Sequence, residues 1–170
     1  MNGASANLGI VLAKLAEPGD TRIWMIEPCY FLAFPIFEDA GFGKDIPGVP
    51  EDGEGLDIDF FLETSLRESN CGAKYRHRML KVGPWYKKIR KNVIYLVPNF
   101  SNSSFKIVFW RRRQELVRLA RQYDALIVAD DVYDVLRWPK ANNDDTSVLG
   151  PVPFRIVDVD RILDGGPKDD

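Results

Sequence analysis

Two unbroken apolar runs, Val93–Val97 (VIYLV) and Leu126–Ala129 (LIVA), bracket a stretch, 109–123, whose apolar residues recur at helical spacing. A strand that is apolar at every position is covered on both faces, and a helix joining two such strands is the crossover a parallel pair requires. The pattern therefore restricts the chain to an α/β fold: a mostly parallel sheet with helices on both faces. The remaining sequence extends it. Thr21–Ile26 (TRIWMI) reads as a further buried strand. Ser5–Ala16 carries Leu8, Val11, Leu12 and Leu15 at helical spacing and stops at Glu17-Pro18-Gly19-Asp20, where proline cannot continue the helix. Tyr30–Ala40 is expected to be a helix with Phe31, Phe34 and Phe37 on one face. Gly41–Pro50 is expected to be extended, and Asp57–Arg67 a helix capped by the acidic turn before it. Within 109–123, Leu116, Leu119, Ala120 and Tyr123 fall inward and Arg111, Arg112, Arg118 and Arg121 outward. Phe154–Val159 is a last strand-like run.

At 170 residues and 45% hydrophobic content, the chain has material for one domain with a real core. A net charge of −2 exerts no overall pull on nucleic acid or on an anionic membrane. Charge is nonetheless unevenly spread: 38–68 is mostly acidic, while 69–92 holds eight Lys or Arg and no acid. That basic stretch has no clean period and reads as an irregular, solvated insertion; its aromatics, Tyr75, Trp85 and Tyr86, are not framed by a nucleic-acid-binding module. Cys29 and Cys71 are too few for a disulfide framework, which points to a reducing, cytoplasmic setting. The single histidine, His77, excludes a His-rich metal site, and no apolar run approaches the ~20 residues of a membrane span. The chain starts on a helix without a leader and ends in turn residues, LDGGPKDD, so both ends are expected to be cut from something longer.

Ligands of open α/β sheets bind beyond the carboxyl ends of the strands. Glu27-Pro28-Cys29-Tyr30 follows the first strand, Pro98-Asn99-Phe100-Ser101-Asn102 the second, and Asp130-Asp131-Val132-Tyr133 the third. Gly3-Ala4-Ser5 leads into the first helix, where unpaired N–H groups suit an anion. Each set alone admits a plainer reading. Gly3-Ala4-Ser5 suits a capping turn, Asn102 a turn, and Tyr30 the core. The paired acids suit a solvated loop or a magnesium site after a parallel strand.

Taken in order, these segments resemble the fold-type I pyridoxal-phosphate (PLP) aminotransferases of class I/II. GASANLGIVLAKLAEPGD resembles the phosphate loop and its helix, and IEPCYFLAFPIFEDAGF the segment that bears the ring-stacking aromatic. IYLVPNFSN is similar to the PxFxNPxG strand and loop. RRRQELVRLARQYDALIVADDVYDVLRW is the most specific stretch. The nearest subgroup is the aminoadipate/aromatic/valine-type transaminases, fungal multi-substrate members included. The resemblance implies PLP as cofactor, an amino acid and a 2-oxo acid as substrates, and a homodimer. It implies that Asp130 holds the pyridine nitrogen protonated, the condition under which PLP is an electron sink. It assigns Tyr133 and Asn102 to the ring's 3-oxygen, Tyr30 to the ring face, and Gly3, Ala4 and Ser5 to the phosphate. Asp131 is left with a solvated or structural role.

Two departures stand out. Ser103-Ser104-Phe105 replaces the family's proline, small residue and glycine, so Phe105 is expected either to reroute the loop or to bring strain and bulk near the ring. The Ser-x-Ser-Lys-like motif of the imine-forming lysine does not occur by Asp170, and Lys168 has no serine frame. Residues 1–170 thus read as part of a large, PLP-binding domain, with a basic insertion at about 69–92 and without its C-terminal part and small domain. Such a chain is expected to be inactive alone; the other reading is a non-catalytic α/β module derived from that fold that binds a cofactor or partner.

Overall fold

The computed structural model describes residues 3–43, 46–70 (65–70 as backbone only), 81, 83–86, 88–136 and 152–167. Strands β1 (Arg22–Glu27), β2 (Gly48–Pro50), β3 (Asn92–Leu96) and β4 (Ala125–Ala129) form one parallel sheet in the order β2-β1-β3-β4. Helices α1 (Gly3–Leu15), α2 (Ala33–Asp39), α3 (Ile58–Asn70), α4 (Trp110–Gln122) and α5 (Ile156–Ile162) accompany it.

Strand side chains alternate between two cores, as a pleated sheet covered on both faces demands. Ile23, Met25, Val93 and Tyr95 pack with Leu8 and Leu12 of α1 and with Ala33 and Phe37 of α2. Trp24, Ile26, Ile94 and Leu96 pack on the other face with Phe61 of α3, Leu116 and Leu119 of α4, and Ile156 and Val159 of α5. Trp24 and Phe61 meet edge to face at 4.6 Å, and the Trp24 indole N–H donates to Asn92 Oδ1 at 2.9 Å. Each large apolar side chain buried this way contributes about 1.5–3 kcal/mol. Helices on both faces of a parallel sheet are therefore what the apolar runs build.

Four local expectations change. Phe154–Val159 does not continue as a strand; α5 begins at Ile156. Its β-branched residues mask a helical repeat, in which Ile156, Val159 and Leu163 line one buried face, and the Asp158 carboxylate accepts the Arg155 backbone N–H at 3.1 Å. The helix expected over Tyr30–Ala40 is only Ala33–Asp39. Phe31, ahead of it, is 70% exposed and Phe34 is exposed too, so only Phe37, with Ala33 one turn away, reaches the core. Asp57 does cap α3, its Oδ1 accepting from the Phe60 N–H at 2.9 Å, but α3 runs on to Asn70. The rest of the basic stretch, with Cys71, Tyr75 and His77, lies largely outside the described residues; Trp85 is exposed. Finally, Arg112 is buried rather than outward, paired with Asp52.

Its neighbour Arg113 is buried deeper, at 2% exposure, and ties three segments together. Its Nε donates to the Val108 carbonyl at 2.8 Å, Nη1 to the Phe154 carbonyl at 2.7 Å, and Nη2 to the Pro98 carbonyl at 3.2 Å and Asn99 Oδ1 at 2.6 Å. Asn99 passes the link on by donating from Nδ2 to the buried Asp134 carboxylate, which also accepts from Arg155 Nε. The exits of β3 and β4 and the start of α5 are thereby joined. Asp131, half-buried beside this group, has its carboxyl pushed up to about 6, first by burial and then by the Asp134 charge, against the pull of Arg155 and Arg113.

The loop from Pro98 to Phe109 closes through Phe105 N–H to the Ser101 carbonyl at 2.8 Å and Ser101 N–H to the Lys106 carbonyl at 3.0 Å. Phe100, Ser103 and Phe105 all have positive φ, at 49°, 118° and 60°. At Phe105 the backbone thus enters the left-handed region that favours glycine, while the ring, 81% exposed, turns to solvent. The departure from glycine shows up as backbone strain, not as bulk in the interior.

Three outcomes are expected from denaturant or thermal unfolding of the chain. Arg113→Met should lose about 3 kcal/mol, since several buried acceptors lose their donor at once. Phe105→Gly should gain about 0.5–1 kcal/mol, the relief of a left-handed non-glycine residue less the added freedom of the unfolded chain. Asp131 has a folded pKa above its ordinary value, so the folded state holds its proton more tightly. Its contribution to stability is therefore present below pH ~4 and lost as pH rises through about 6. Asp131→Asn should accordingly be more stable than wild type at pH 7.5, with the difference shrinking towards pH 5. A difference that grows on acidification would contradict this.

Candidate functional site

The residues after the strands gather at one end of the sheet because all four strands are parallel. Helix α1 adds its amino end there. The short connection after Leu15 turns the chain into β1 and is fixed by Thr21, whose hydroxyl donates to the Arg90 carbonyl at 2.6 Å and accepts the Glu17 N–H at 2.9 Å. From that turn α1 runs back along β1 for a similar length, ~20 Å for each element, with Leu8 and Leu12 against Ile23 and Met25. Its first residues, Gly3, Ala4 and Ser5, are exposed and start the helix itself instead of preceding it. Gly3 takes φ +75°.

At the carboxyl end of β4 stands Asp130, whose N–H continues the ladder to the Leu96 carbonyl at 2.9 Å. Its Oδ2 accepts the Tyr95 hydroxyl at 2.9 Å. Strand register explains the pairing. Tyr95 lies opposite Val128, Asp130 is two residues further along the same face, and a tyrosine is long enough to reach that diagonal position. The Tyr95 ring is 2% exposed and is held by Phe37 edge to face at 5.8 Å. Burial first, and then the Asp130 charge, push its phenol far above the ordinary tyrosine value, so it remains a proton donor. Among the described residues, Asp130 Oδ1 has no hydrogen-bond partner, and the residue is only half-buried.

Tyr30 and Cys29 pack against the cluster that contains Tyr95, and Tyr30 lies near enough to act electrostatically on the Tyr95 phenol. The Cys29 thiol is pushed up by burial and by the Glu27 charge. The Ser103 hydroxyl, 3.3 Å from the Cys29 carbonyl, draws the loop bearing Asn102 against the segment bearing Tyr30. Ser104 donates to Glu51 at 3.0 Å and Lys106 pairs with Glu51 at 3.5 Å, which fastens the same loop beside β2. Asn102 is exposed at the loop's tip. Tyr133 is half-buried in the turn after β4, where its carbonyl accepts the Leu136 N–H at 3.0 Å.

Tyr30, Asp130 and the Asn102 loop are thus brought to one neighbourhood, centred on Tyr95. Tyr133 and Gly3-Ala4-Ser5 share that end of the sheet through the topology. Sequence reasoning passed over Tyr95 and Arg113. Tyr95 sits inside an apolar strand and looks like ordinary core, whereas a buried Arg113 is hidden among the arginines of a basic helix. The only advance signal was a polar atom in the otherwise apolar run VIYLV. Chemically, the group offers a carboxylate oriented by a buried donor, an aromatic ring beside it, and the N–H groups of an open helix end, a set suited to a ligand with a protonated ring and an anionic arm. Among the described residues no three His, Cys, Asp or Glu side chains form a metal-ligand cluster.

No family model matches the chain. It is 33% identical over 166 residues to the uncharacterized protein YER152C of Saccharomyces cerevisiae, covering 94% of this chain and 36% of that protein. Over 138 residues it is 30% identical to aromatic-amino-acid aminotransferase 1 of Thermococcus litoralis and 31% identical to the mitochondrial kynurenine/alpha-aminoadipate aminotransferase of Bos taurus, covering 81% of this chain each time and 28% and 29% of those proteins. Among solved structures, the kynurenine aminotransferase of Pyrococcus horikoshii superposes with a TM-score of 0.56 at 26% identity, covering 76% of this chain and 27% of that one. LysN, the alpha-aminoadipate aminotransferase of Thermus thermophilus, superposes with a TM-score of 0.53 at 25% identity, covering 78% and 28%. The chain therefore spans about a third of the length of the curated relatives it matches. In sequence the chain is similar to a stretch of these aminotransferases, and its parallel α/β sheet superposes on that of the solved ones.

Proposed function

We propose that residues 1–170 form part of the large domain of an aminotransferase and supply the cofactor-facing side of its site, for transfer of an amino group between an amino acid and a 2-oxo acid. The observation that carries this reading is Asp130. It is a half-buried carboxylate at a strand's carboxyl end, with Oδ2 engaged by Tyr95 at 2.9 Å and Oδ1 without a partner among the described residues. An acceptor with one oxygen engaged and one open fits a protonated pyridine nitrogen, so the residues present are compatible with PLP. Bound PLP supplies an electron sink conjugated to the amino acid's α-carbon.

The chain's own residues then have separate tasks. Asp130 keeps a proton on the ring nitrogen, because loss of that proton would leave a carboxylate without its counter-charge in a partly buried place. Tyr30 covers one ring face. The N–H groups of Gly3, Ala4 and Ser5, with the Ser5 hydroxyl, take the phosphate at the positive end of α1. Asn102 and Tyr133 donate to the ring's 3-oxygen. Of the described lysines, Lys81 bonds the Leu12 and Ala16 carbonyls at the far end of α1, Lys88 pairs with Asp124 and Lys106 with Glu51. We assign the lysine that moves the α-proton, the arginine that grips the substrate carboxylate, and the small domain to chain outside these residues. A homodimer is part of the same reading.

Pyridoxamine 5′-phosphate tests it, because its amine forms no imines with surface lysines and its fluorescence reports binding. Saturable binding to the wild-type chain, weakened by about tenfold or more in Asp130→Ala, is expected. Equal affinity in the two would refute the assignment of Asp130. With PLP, an amino acid and 2-oxoglutarate, glutamate formation by residues 1–170 alone should not exceed that of PLP without protein.

A further inference from the structure

We propose that Tyr95 is a positioning residue of this site: its hydroxyl holds Oδ2 of Asp130 and thereby aims Oδ1 at the ring nitrogen. The inference rests on the cofactor-facing reading of Asp130 and adds to it a residue that none of the strand-end motifs contains.

Three observations support it. The Tyr95 hydroxyl donates to Asp130 at 2.9 Å and makes no other side-chain hydrogen bond among the described residues. A phenylalanine would bury as much apolar surface at this position, so packing alone does not account for the oxygen. The ring cannot swing away, since it is 2% exposed, lies against Phe37 at 5.8 Å, and belongs to a strand paired on both sides. A carboxylate is otherwise soft about its terminal torsion, which is broad and roughly two-fold. One fixed donor on one oxygen removes that freedom and leaves the second oxygen in a set direction before any ligand arrives. Pre-organisation of this kind strengthens binding by reducing what must be ordered on association. Burial also keeps the phenol protonated at any working pH, so the donor is never lost.

The experiment uses the full chain and pyridoxamine 5′-phosphate. Wild type, Tyr95→Phe, Asp130→Ala and the double variant are titrated by fluorescence, and the pH at which the bound ring nitrogen loses its proton is followed by absorbance. Loss of a hydrogen bond to a charged group should weaken binding about tenfold in Tyr95→Phe. The same change should also shift ring-nitrogen deprotonation to lower pH, which a merely structural tyrosine would not do. Because Tyr95 acts through Asp130, removing its hydroxyl in the Asp130→Ala background should cost nothing further. If Asp130→Ala weakens binding while Tyr95→Phe binds and titrates like wild type, the positioning role is wrong and the cofactor-facing reading stands. If Asp130→Ala binds like wild type, or the wild-type chain does not bind, both fail. Thermal melts check that Tyr95→Phe folds. Should it not fold, 3-fluorotyrosine incorporated at position 95 keeps the packing and strengthens the donor. The stronger donor draws charge from the carboxylate, so ring-nitrogen deprotonation should shift downward, and no shift would overturn the proposal.

Discussion

A buried guanidinium holds the strand ends in place. Arg113 reaches the carbonyls of Val108, Pro98 and Phe154 and the amide of Asn99, so the loop after β3, the start of α4 and the lead into α5 share one donor. Burial pushes this guanidinium below its ordinary value, and the charges of Asp131 and Asp134 oppose that effect. A cation in such a place is tolerated because nearly every N–H finds an acceptor and because carboxylates stand behind it. Its planar fork also fixes the relative angles of its partners, which a lysine in the same place would not do. The loop after β3, the turn after β4 and the lead into α5 are fixed through that one point.

The sheet itself divides the labour. One face, through Trp24, Ile94 and Leu96, carries α3, α4 and α5 and is a conventional apolar core. The other face, through Met25, Val93 and Tyr95, carries α1 and α2 and ends in the polar group around Asp130. The same period-two alternation that makes each strand look uniformly apolar therefore delivers one residue, Tyr95, whose ring belongs to the core and whose oxygen bonds Asp130 at the carboxyl end of β4.

Much of this was legible in the chain. VIYLV specified a buried parallel strand and LIVA a parallel one, although Leu126–Ala129, on the edge strand β4, are only partly buried; the helix between them followed from its period. Pro18-Gly19 ended α1 as expected, and an acidic cap for α3 was legible too, although it is Asp57 itself and not the turn before it. What could not be read was mostly non-local. That Tyr95 meets Asp130 depends on the register of β3 against β4, which no local pattern fixes. That Arg113 is buried depends on carbonyls supplied from Pro98 and Phe154. Other misreadings were local contests. In α5 the β-branched residues argued for a strand, and tertiary burial of Ile156 and Val159 against α4 prevailed. Phe31 looked like a core aromatic, but the helix began two residues too late to bring it inward. At Phe105, where the resemblance expects glycine, the backbone has the positive φ that favours glycine and the side chain is exposed to solvent.

The bond between Asp134 and Arg155 spans 21 positions of sequence. Asn99, Arg113, Asp134 and Arg155 are thus held to one another across the ends of three elements. Residues joined in one network do not respond independently, so the cost of replacing any two of these four is expected to differ from the sum of the single costs.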